Sequence, residues 1–308
     1  NATVPTPVSP LAVLNYYTRG DYNGDGRADF VTARVDSDAE QTEFSMHASN
    51  EANSSGTRSV TLGAKGDAIV VGDFGGDGRF EPGVVTVVDA NTLRWTLYNS
   101  AGNTTFDFGQ NEDTPLAGDV DCDGKTDKMV VRTDGGYLKW YFKLATGTSI
   151  NGYVFGRDGD VPYVADVDGD GCEELVASRG GSSITWFYQD HQYGTYKQLT
   201  WGLGSDTPLT PVDMNGDGRA DFMTYRIENG QVAVYVRYSR PGYNDRQYPN
   251  FSWKKLNFGL ENDLPLAGKF DGPGRAELAV FRPSDTPGFF WNKLRSQIAF
   301  IPQGEGGD

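Results

Sequence analysis

Apolar and polar residues alternate with a period of two in short bursts along the chain. Tyr137-Leu-Lys-Trp-Tyr-Phe-Lys-Leu144 is the clearest burst. That period puts successive side chains on opposite faces of a strand. Lys128-Met-Val-Val-Arg132 precedes it as a β-branched strand, and Asp134-Gly-Gly136 between them is a glycine-rich hairpin turn. Pro115-Leu-Ala-Gly118 and Ile150-Asn-Gly-Tyr-Val-Phe155 complete four strands. No window keeps a helical period over three turns, so the body is predicted to be all-β. Other predicted strands are 13–18, 30–35, 43–48 and 58–62 in the first unit, 184–188, 232–238, 289–291 and a last one near 298–301.

The four-strand unit recurs, and a short acidic stretch marks each copy. The starts at residues 21, 73, 119, 166, 213 and 269 are separated by 52, 46, 47, 47 and 56 residues. Repeats of four strands at this period are the size of propeller blades. The junctions repeat too. Phe108-Gly109 leads to Asp113-Thr-Pro, Phe155-Gly156 to Asp160-Val-Pro, Trp201-Gly202 to Asp206-Thr-Pro and Phe258-Gly259 to Asp263-Leu-Pro. Gly304-Glu-Gly-Gly-Asp308 begins such a junction, and Pro10-Leu11 through Asp21 continues it. The expectation is one β-propeller domain over 1–308, with repeats at about 11–63, 64–111, 112–157, 158–203, 204–260 and 261–308. Six blades close the ring, with seven as the alternative.

The acidic stretches carry the chemistry. Asp119-Val-Asp-Cys-Asp-Gly-Lys-Thr-Asp127 places three carboxylates on alternate residues and a fourth at the ninth place. Like charges so crowded repel unless a cation sits among them, and all-oxygen donors suit Ca²⁺. The other copies start at Asp21, Asp73, Asp166 and Asp213. The sixth, Lys269-Phe-Asp-Gly-Pro-Gly-Arg-Ala-Glu277, loses two ligands to Lys269 and Pro273 and is expected to bind no metal. Its Lys269 ammonium is expected where the ion would be, beside Asp271 and Glu277. An EF-hand needs flanking helices and a glutamate at the twelfth place. Here the flanks are strands and Thr32 and Val130 stand at that place.

The formal charge of −15 is read in the same light. Seventeen of the 42 acids are ligand candidates in the five good loops, and five Ca²⁺ would bring the charge to −5. No basic patch points to nucleic acid. No run of eighteen apolar residues crosses a membrane. No signal peptide is visible, and Asn1-Ala-Thr-Val-Pro-Thr-Pro reads as a mature end after signal removal. The two cysteines, Cys122 and Cys172, lie in adjacent acidic loops, either as a disulfide or as two unrelated small residues. Their spacing lacks the pairing of a zinc site.

An aromatic-Gly junction, a Pro-Leu-Ala-Gly strand and an Asp-x-Asp-x-Asp-Gly-x-x-Asp loop together resemble the FG-GAP or VCBS repeat of integrin α-like propellers and secreted bacterial proteins. The resemblance covers about residues 11–304. It implies that the loop joins the first two strands of a blade and binds Ca²⁺, with about four to five structural ions. Side-chain ligands would be Asp119, Asp121, Asp123 and Asp127; Asp21, Asn23, Asp25 and Asp29; Asp166, Asp168, Asp170 and Glu174; Asp213, Asn215, Asp217 and Asp221. Asp73, Asp77 and Glu81 form a weaker set, since Gly75 stands at a ligand place. The seventh residues, Arg27, Arg79, Lys125, Cys172 and Arg219, would offer backbone carbonyls.

Trp95, Trp140, Trp186, Tyr235 and Trp291 are read as nearly equivalent strand positions, packed between blades rather than stacking sugars. Function is then expected in what does not repeat. The loop at 240–250 is the longest insertion, and Tyr243, Arg246 and Tyr248 are its recognition candidates. His191 and Tyr193 lie on the corresponding loop of the preceding unit, and only one other histidine, His47, is present. Neither Gly-x-Ser-x-Gly nor His-Glu-x-x-His occurs. These features favour a secreted or cell-surface, monomeric binding module for a glycan or extracellular protein, a lectin or adhesin, over an enzyme. A polysaccharide lyase or hydrolase with its site in the central cavity is the alternative, and an accessory domain of a larger protein a third reading.

Overall fold

The computed structural model describes residues 20–35, 41–47, 57–64, 66–190, 195–239, 253–272, 274–282 and 289–292. They form six antiparallel sheets, each a meander in chain order. The first holds β1 (Phe30–Val35), β2 (Gln41–His47) and β3 (Thr57–Ala64). The second holds β4 (Ala68–Gly72), β5 (Glu81–Asp89), β6 (Thr92–Leu97) and β7 (Thr104–Asp107). The third holds β8 (Thr114–Gly118), β9 (Asp127–Asp134), β10 (Tyr137–Lys143) and β11 (Ser149–Arg157). The fourth holds β12 (Val161–Ala165), β13 (Glu174–Arg179), β14 (Ser183–Asp190) and β15 (Thr195–Leu203). The fifth holds β16 (Thr207–Val212), β17 (Asp221–Glu228), β18 (Gln231–Arg237) and β19 (Trp253–Asn257). The sixth holds β20 (Leu264–Gly268), β21 (Glu277–Arg282) and β22 (Phe289–Asn292). The protein is an all-β β-propeller. Four strands per blade holds in four sheets; the first and sixth show three, and the expected strands at 13–18 and 298–301 lie outside the described residues.

The hairpin at 134–137 forms as its sequence dictates. Gly135 and Gly136 have φ of 62° and 84°, the two positive values that a two-residue turn matching strand twist needs. Period-2 alternation then sets the core. Trp95, Trp140 and Trp186 are fully buried, each at the centre of its third strand. Their indole N–H groups donate to the carbonyls of Phe108, Phe155 and Trp201 at 2.9, 2.8 and 3.1 Å. Trp140 packs with Leu175 and Ala177 of the next sheet, and Trp186 with Phe222 of the one after. These indoles therefore hold blades together.

Register corrects the grouping of Tyr235 and Trp291 with them. Trp140 faces Val131 on β9, just before Arg132, while Tyr235 faces Thr224 and Val234 faces Tyr225, just before Arg226. Buried Val234 takes the tryptophan place in the fifth sheet. In the sixth, Phe290 faces Phe281, just before Arg282, and Trp291 sits one residue further on. Both aromatics are one residue out of register with the core tryptophans, and for Tyr235 that step puts it on the other face of the strand.

The junction aspartates found a partner that sequence reading missed. Asp113, Asp160, Asp206 and Asp263 have fully buried side chains. Each takes a two-pronged hydrogen bond from an arginine on the second strand, 19 or 20 residues on: Arg132, Arg179, Arg226 and Arg282, at 2.6–2.9 Å. Three of these guanidiniums also lie over a ring, on Tyr141, Phe187 and Tyr235, at 4.8, 4.4 and 4.2 Å. In the second sheet Thr86 replaces the arginine and donates to Asp67 at 2.7 Å.

Candidate metal centres

Loops 2 to 6 each join the first two strands of their sheet, loop 1 leads into β1, and the loop backbones are tied by their own carboxylates. In the loop at 21–29, which we call loop 1, Asp21 accepts the N–H groups of Gly24, Asp25 and Gly26 at 2.6, 3.1 and 2.7 Å. The first aspartates of loops 2 to 5 act alike: Asp73 and Asp213 accept three N–H groups of their own turn, and Asp119 and Asp166 two. The fifth residue caps the seventh: Asp123 accepts from Lys125 at 2.8 Å and Asp170 from Cys172 at 2.9 Å. The ninth acid turns back to the second residue, as in Val167 N–H to Glu174 at 2.7 Å. These bonds aim the remaining oxygens inward.

The sets do not close equally. In loop 4, oxygens of Asp166, Asp168, Asp170 and Glu174 all lie within 4.8 Å of one another. Asp73, Asp77 and Glu81 meet likewise in loop 2, and Asp119, Asp121 and Asp127 in loop 3, where Asp123 stays outside the group. In loops 1 and 5, where Asn23 and Asn215 replace an acid, no such group of carboxylates is found among the described residues. Asn23 instead donates to Asp25 and Asn215 to Asp217 at 3.3 and 3.0 Å.

Burial and crowding raise the cost of charge here. Burial, then the three aspartates beside it, pushes Glu174 up to about 8. Burial pushes Glu81 and Asp221 up to about 7, with Asp73 and Asp77, and Asp217 and Asp213, adding to it. Burial also raises Asp127. A hard cation would relieve this repulsion, and the donor set offers it only oxygen, so the residues fit Ca²⁺. Bound there, the ion would tie two strands together.

The loops are also tied to one another in a ring. The eighth residue of each donates its N–H to the first residue's carbonyl in the loop before. Phe80 donates to Asp21, Thr126 to Asp73, Glu173 to Asp119, Ala220 to Asp166 and Ala276 to Asp213, at 2.6–2.8 Å. Ala28 donates to Lys269 at 2.9 Å, and the cycle is complete. A cavity of about 370 Å³ is lined from loops 1, 2, 4, 5 and 6, among them Asp21, Asp166, Asp213 and Lys269, and so lies on the ring axis. Lys269 faces this cavity. Arg27 of loop 1 also approaches Asp271 of loop 6, at 4.0 Å. A second cavity of about 250 Å³ is lined by Asp73, Asp119, Lys125, Tyr163 and buried Glu173.

A second tie links neighbours. At five of the six junctions the seventh residue of a loop lies over the fourth of the loop before; at the sixth, Gly272 has no such neighbour. A Cβ on Gly24 would come within 3.0 Å of Arg79, one on Gly76 within 2.7 Å of Lys125, and one on Gly169 within 2.9 Å of Arg219. At one junction the pair is Cys122 and Cys172, and they form a disulfide with Cα atoms 5.2 Å apart. Cys122 keeps the left-handed backbone of the glycines it replaces, φ 66°. The open choice in the sequence is thus decided by loop positions four and seven facing each other. The side chains of Arg79, Lys125 and Arg219 reach across to the neighbouring loop and Arg27 lines the axial cavity, while Tyr243, Arg246, Tyr248, His191 and Tyr193 lie outside the described residues.

A β-propeller whose blades each present an aspartate-rich loop is the class these features define. The family profile for the FG-GAP-like repeat matches residues 166–224, spanning loop 4 and loop 5. Residues 166–224 thus carry an FG-GAP-like repeat within a β-propeller. No curated protein matches it. Among solved structures, TolB from Acinetobacter baumannii superposes with a TM-score of 0.54 at 14% identity, covering 92% of this chain and 68% of that one. AofleA from Arthrobotrys oligospora gives 0.51 at 9% identity, covering 95% and 90%. At such identity the likeness is one of fold.

Proposed function

We propose that this protein is a calcium-stabilised, extracellular six-bladed β-propeller, one domain over 1–308, that acts as a glycan-binding module. The observation that carries the metal reading is loop 4, where four carboxylates converge within 4.8 Å on an all-oxygen site. The hydrogen-bond cycle of six loops supports the blade number. The Cys122–Cys172 disulfide supports an oxidising compartment, and no helix of the described residues is long and apolar enough to cross a membrane. Large aromatic side chains exposed on outer strands, Tyr196 and Trp253 foremost, support binding of an amphipathic ligand such as a sugar.

Ca²⁺ bound only by the folded state stabilises it by mass action, and extracellular modules bind at roughly 10⁻⁴ to 10⁻³ M. The test is a melting curve with and without chelator, metal analysis of the dialysed protein, and a glycan array. The expected result is a fall in Tm on chelation, restored by Ca²⁺ and not by Mg²⁺, with four to five ions per chain and selective glycan retention. An unchanged Tm with no bound calcium would sink the metal assignment. A second reading, a polysaccharide lyase or hydrolase, draws on the 250 Å³ cavity where Glu173 is buried beside Asp119. Its mark would be release of shortened oligosaccharides, lost on Glu173→Gln.

A further inference from the structure

We propose that the outer rim carries two binding platforms for neutral saccharides, centred on Tyr196 and Trp253, in successive clefts between sheets. The proposal rests on the glycan-binding reading and gives it a place. The two residues are equivalent. Tyr196 on β15 pairs with Gln189, three residues beyond the core Trp186. Trp253 on β19 pairs with Arg237, three beyond the core Val234. Each ring leans on the aromatic that closes the preceding sheet. Tyr196 stacks on Phe155 with centroids 5.7 Å apart and planes at 13°, and Trp253 meets Trp201 at 6.1 Å and 53°. Both remain open to solvent, at 64% and 57% exposure.

Polar groups edge both rings. The Tyr153 hydroxyl donates to Gln189 at 2.7 Å and lies 3.4 Å from the Tyr196 hydroxyl. Beside Trp253, Tyr235 stacks at 6.3 Å and 23° and donates its hydroxyl to Glu228 at 2.5 Å, while Lys255 pairs with the same carboxylate. An aromatic face with hydroxyl, carboxamide and carboxylate at its edge matches a pyranose, which is apolar on its C–H face and polar around its rim. The cleft before these two is built otherwise. There the residue three beyond Trp140 is Lys143, and its ammonium covers Phe106 at 4.3 Å.

The scale fits a sugar better than a protein. A stable protein contact needs about 800 Å² of surface on each partner, whereas each platform is a single open ring one blade from the next. A net charge of −15 disfavours acidic glycans and leaves neutral ones. Two sites one blade apart would grip a repeating chain, or clustered chain ends, by avidity.

The probe is an immobilised panel of neutral oligosaccharides: linear hexaoses of glucose, mannose, galactose and N-acetylglucosamine, and fucosylated glycans. Native protein, Trp253→Ala, Tyr196→Ala, the double variant and Tyr137→Ala are compared, the last being an exposed tyrosine on another hairpin. Melting curves check folding. The expected result is that each single platform variant binds about tenfold more weakly and the double loses retention, with Tyr137→Ala and all melting temperatures unchanged. Undiminished glycan binding by the double variant would overturn the platforms and leave the glycan reading standing. If the native protein bound no member of the panel, both would fall together.

Discussion

Loop 4 and loop 6 occupy the same place in the fold with opposite chemistry. Loop 4 gathers four carboxylates, and Asp166 collects two backbone N–H groups of its own turn. Loop 6 has Lys269 at that first position, and only Asp271 and Glu277 remain of its acids. Yet both keep their bonds in the ring, Ala220 to Asp166 and Ala276 to Asp213 on one side, Glu173 to Asp119 and Ala28 to Lys269 for the neighbours. The interblade frame is made by main-chain groups, which every residue carries, and it survives the loss of acid side chains. The ninth acid keeps its bond in both: in loop 4 Glu174 accepts from the second residue at 2.7 Å, and in loop 6 Glu277 accepts from the second residue, Phe270, and from the third at 3.2 Å. The carboxylate sets proposed to hold metal and the main-chain frame are separable layers of one design.

That separation can be broken at several strengths. The largest effect should follow reduction of Cys122–Cys172, which anchors loop 4 to loop 3 and closes a loop of 50 residues. Chain entropy puts its worth at about 4 kcal/mol, read as a lower midpoint in denaturant. The paired change Cys122→Gly with Cys172→Arg restores the glycine–arginine contact of the other junctions. It should recover part of that loss and abolish the response to reductant. Next, Asp166→Ala should remove one calcium and two backbone caps, costing about 2 kcal/mol or more before the ion is counted. Mass spectrometry under native conditions would show the ion count drop by one.

The pH response should be smaller and of unusual sign. In the metal-free protein Glu174 titrates at about 8 and Glu81 at about 7, above their ordinary value of 4.5. The folded state then holds more protons than the unfolded state between those values. Stability therefore falls as pH rises from about 4.5 through 8. Saturating calcium should flatten that slope, and a metal-free slope of the opposite sign would count against the crowded-carboxylate account. Smallest of all, Lys269→Asp should let loop 6 take up a weakly held extra ion, detectable as one more calcium per chain at millimolar concentration, with little change in Tm. Retention of the native ion count would show that the backbone of loop 6 has lost the shape of a site as well as its charge.

Much of this was legible in the chain because the acidic loops punctuate it. They fix where the first strand ends and the second begins, so β8, β9 and β10 fall within a residue or two of their predicted spans. Phase along a strand was harder. Tyr235 and Trp291 were grouped with the core tryptophans by their chemistry, whereas counting from the second-strand arginine gives Val234 and Phe290. The Asp113–Arg132 type of brace was hidden because its halves are 19 residues apart, although the same interval recurs twice more and once as 20. The disulfide stayed open because positions four and seven meet only across blades. Trp253 and Tyr196 carried no signal of their own, since exposure of a single ring is a property of the folded surface.

The cycle of six loop-to-loop hydrogen bonds runs head to tail in one direction, and no member of a closed cycle is first or last. Where the polypeptide is severed is then independent of where the architecture is joined. Circularly permuted forms opened at other junctions, with the present ends linked, should recover the same ring, and the six junctions become interchangeable places to cut, label or insert.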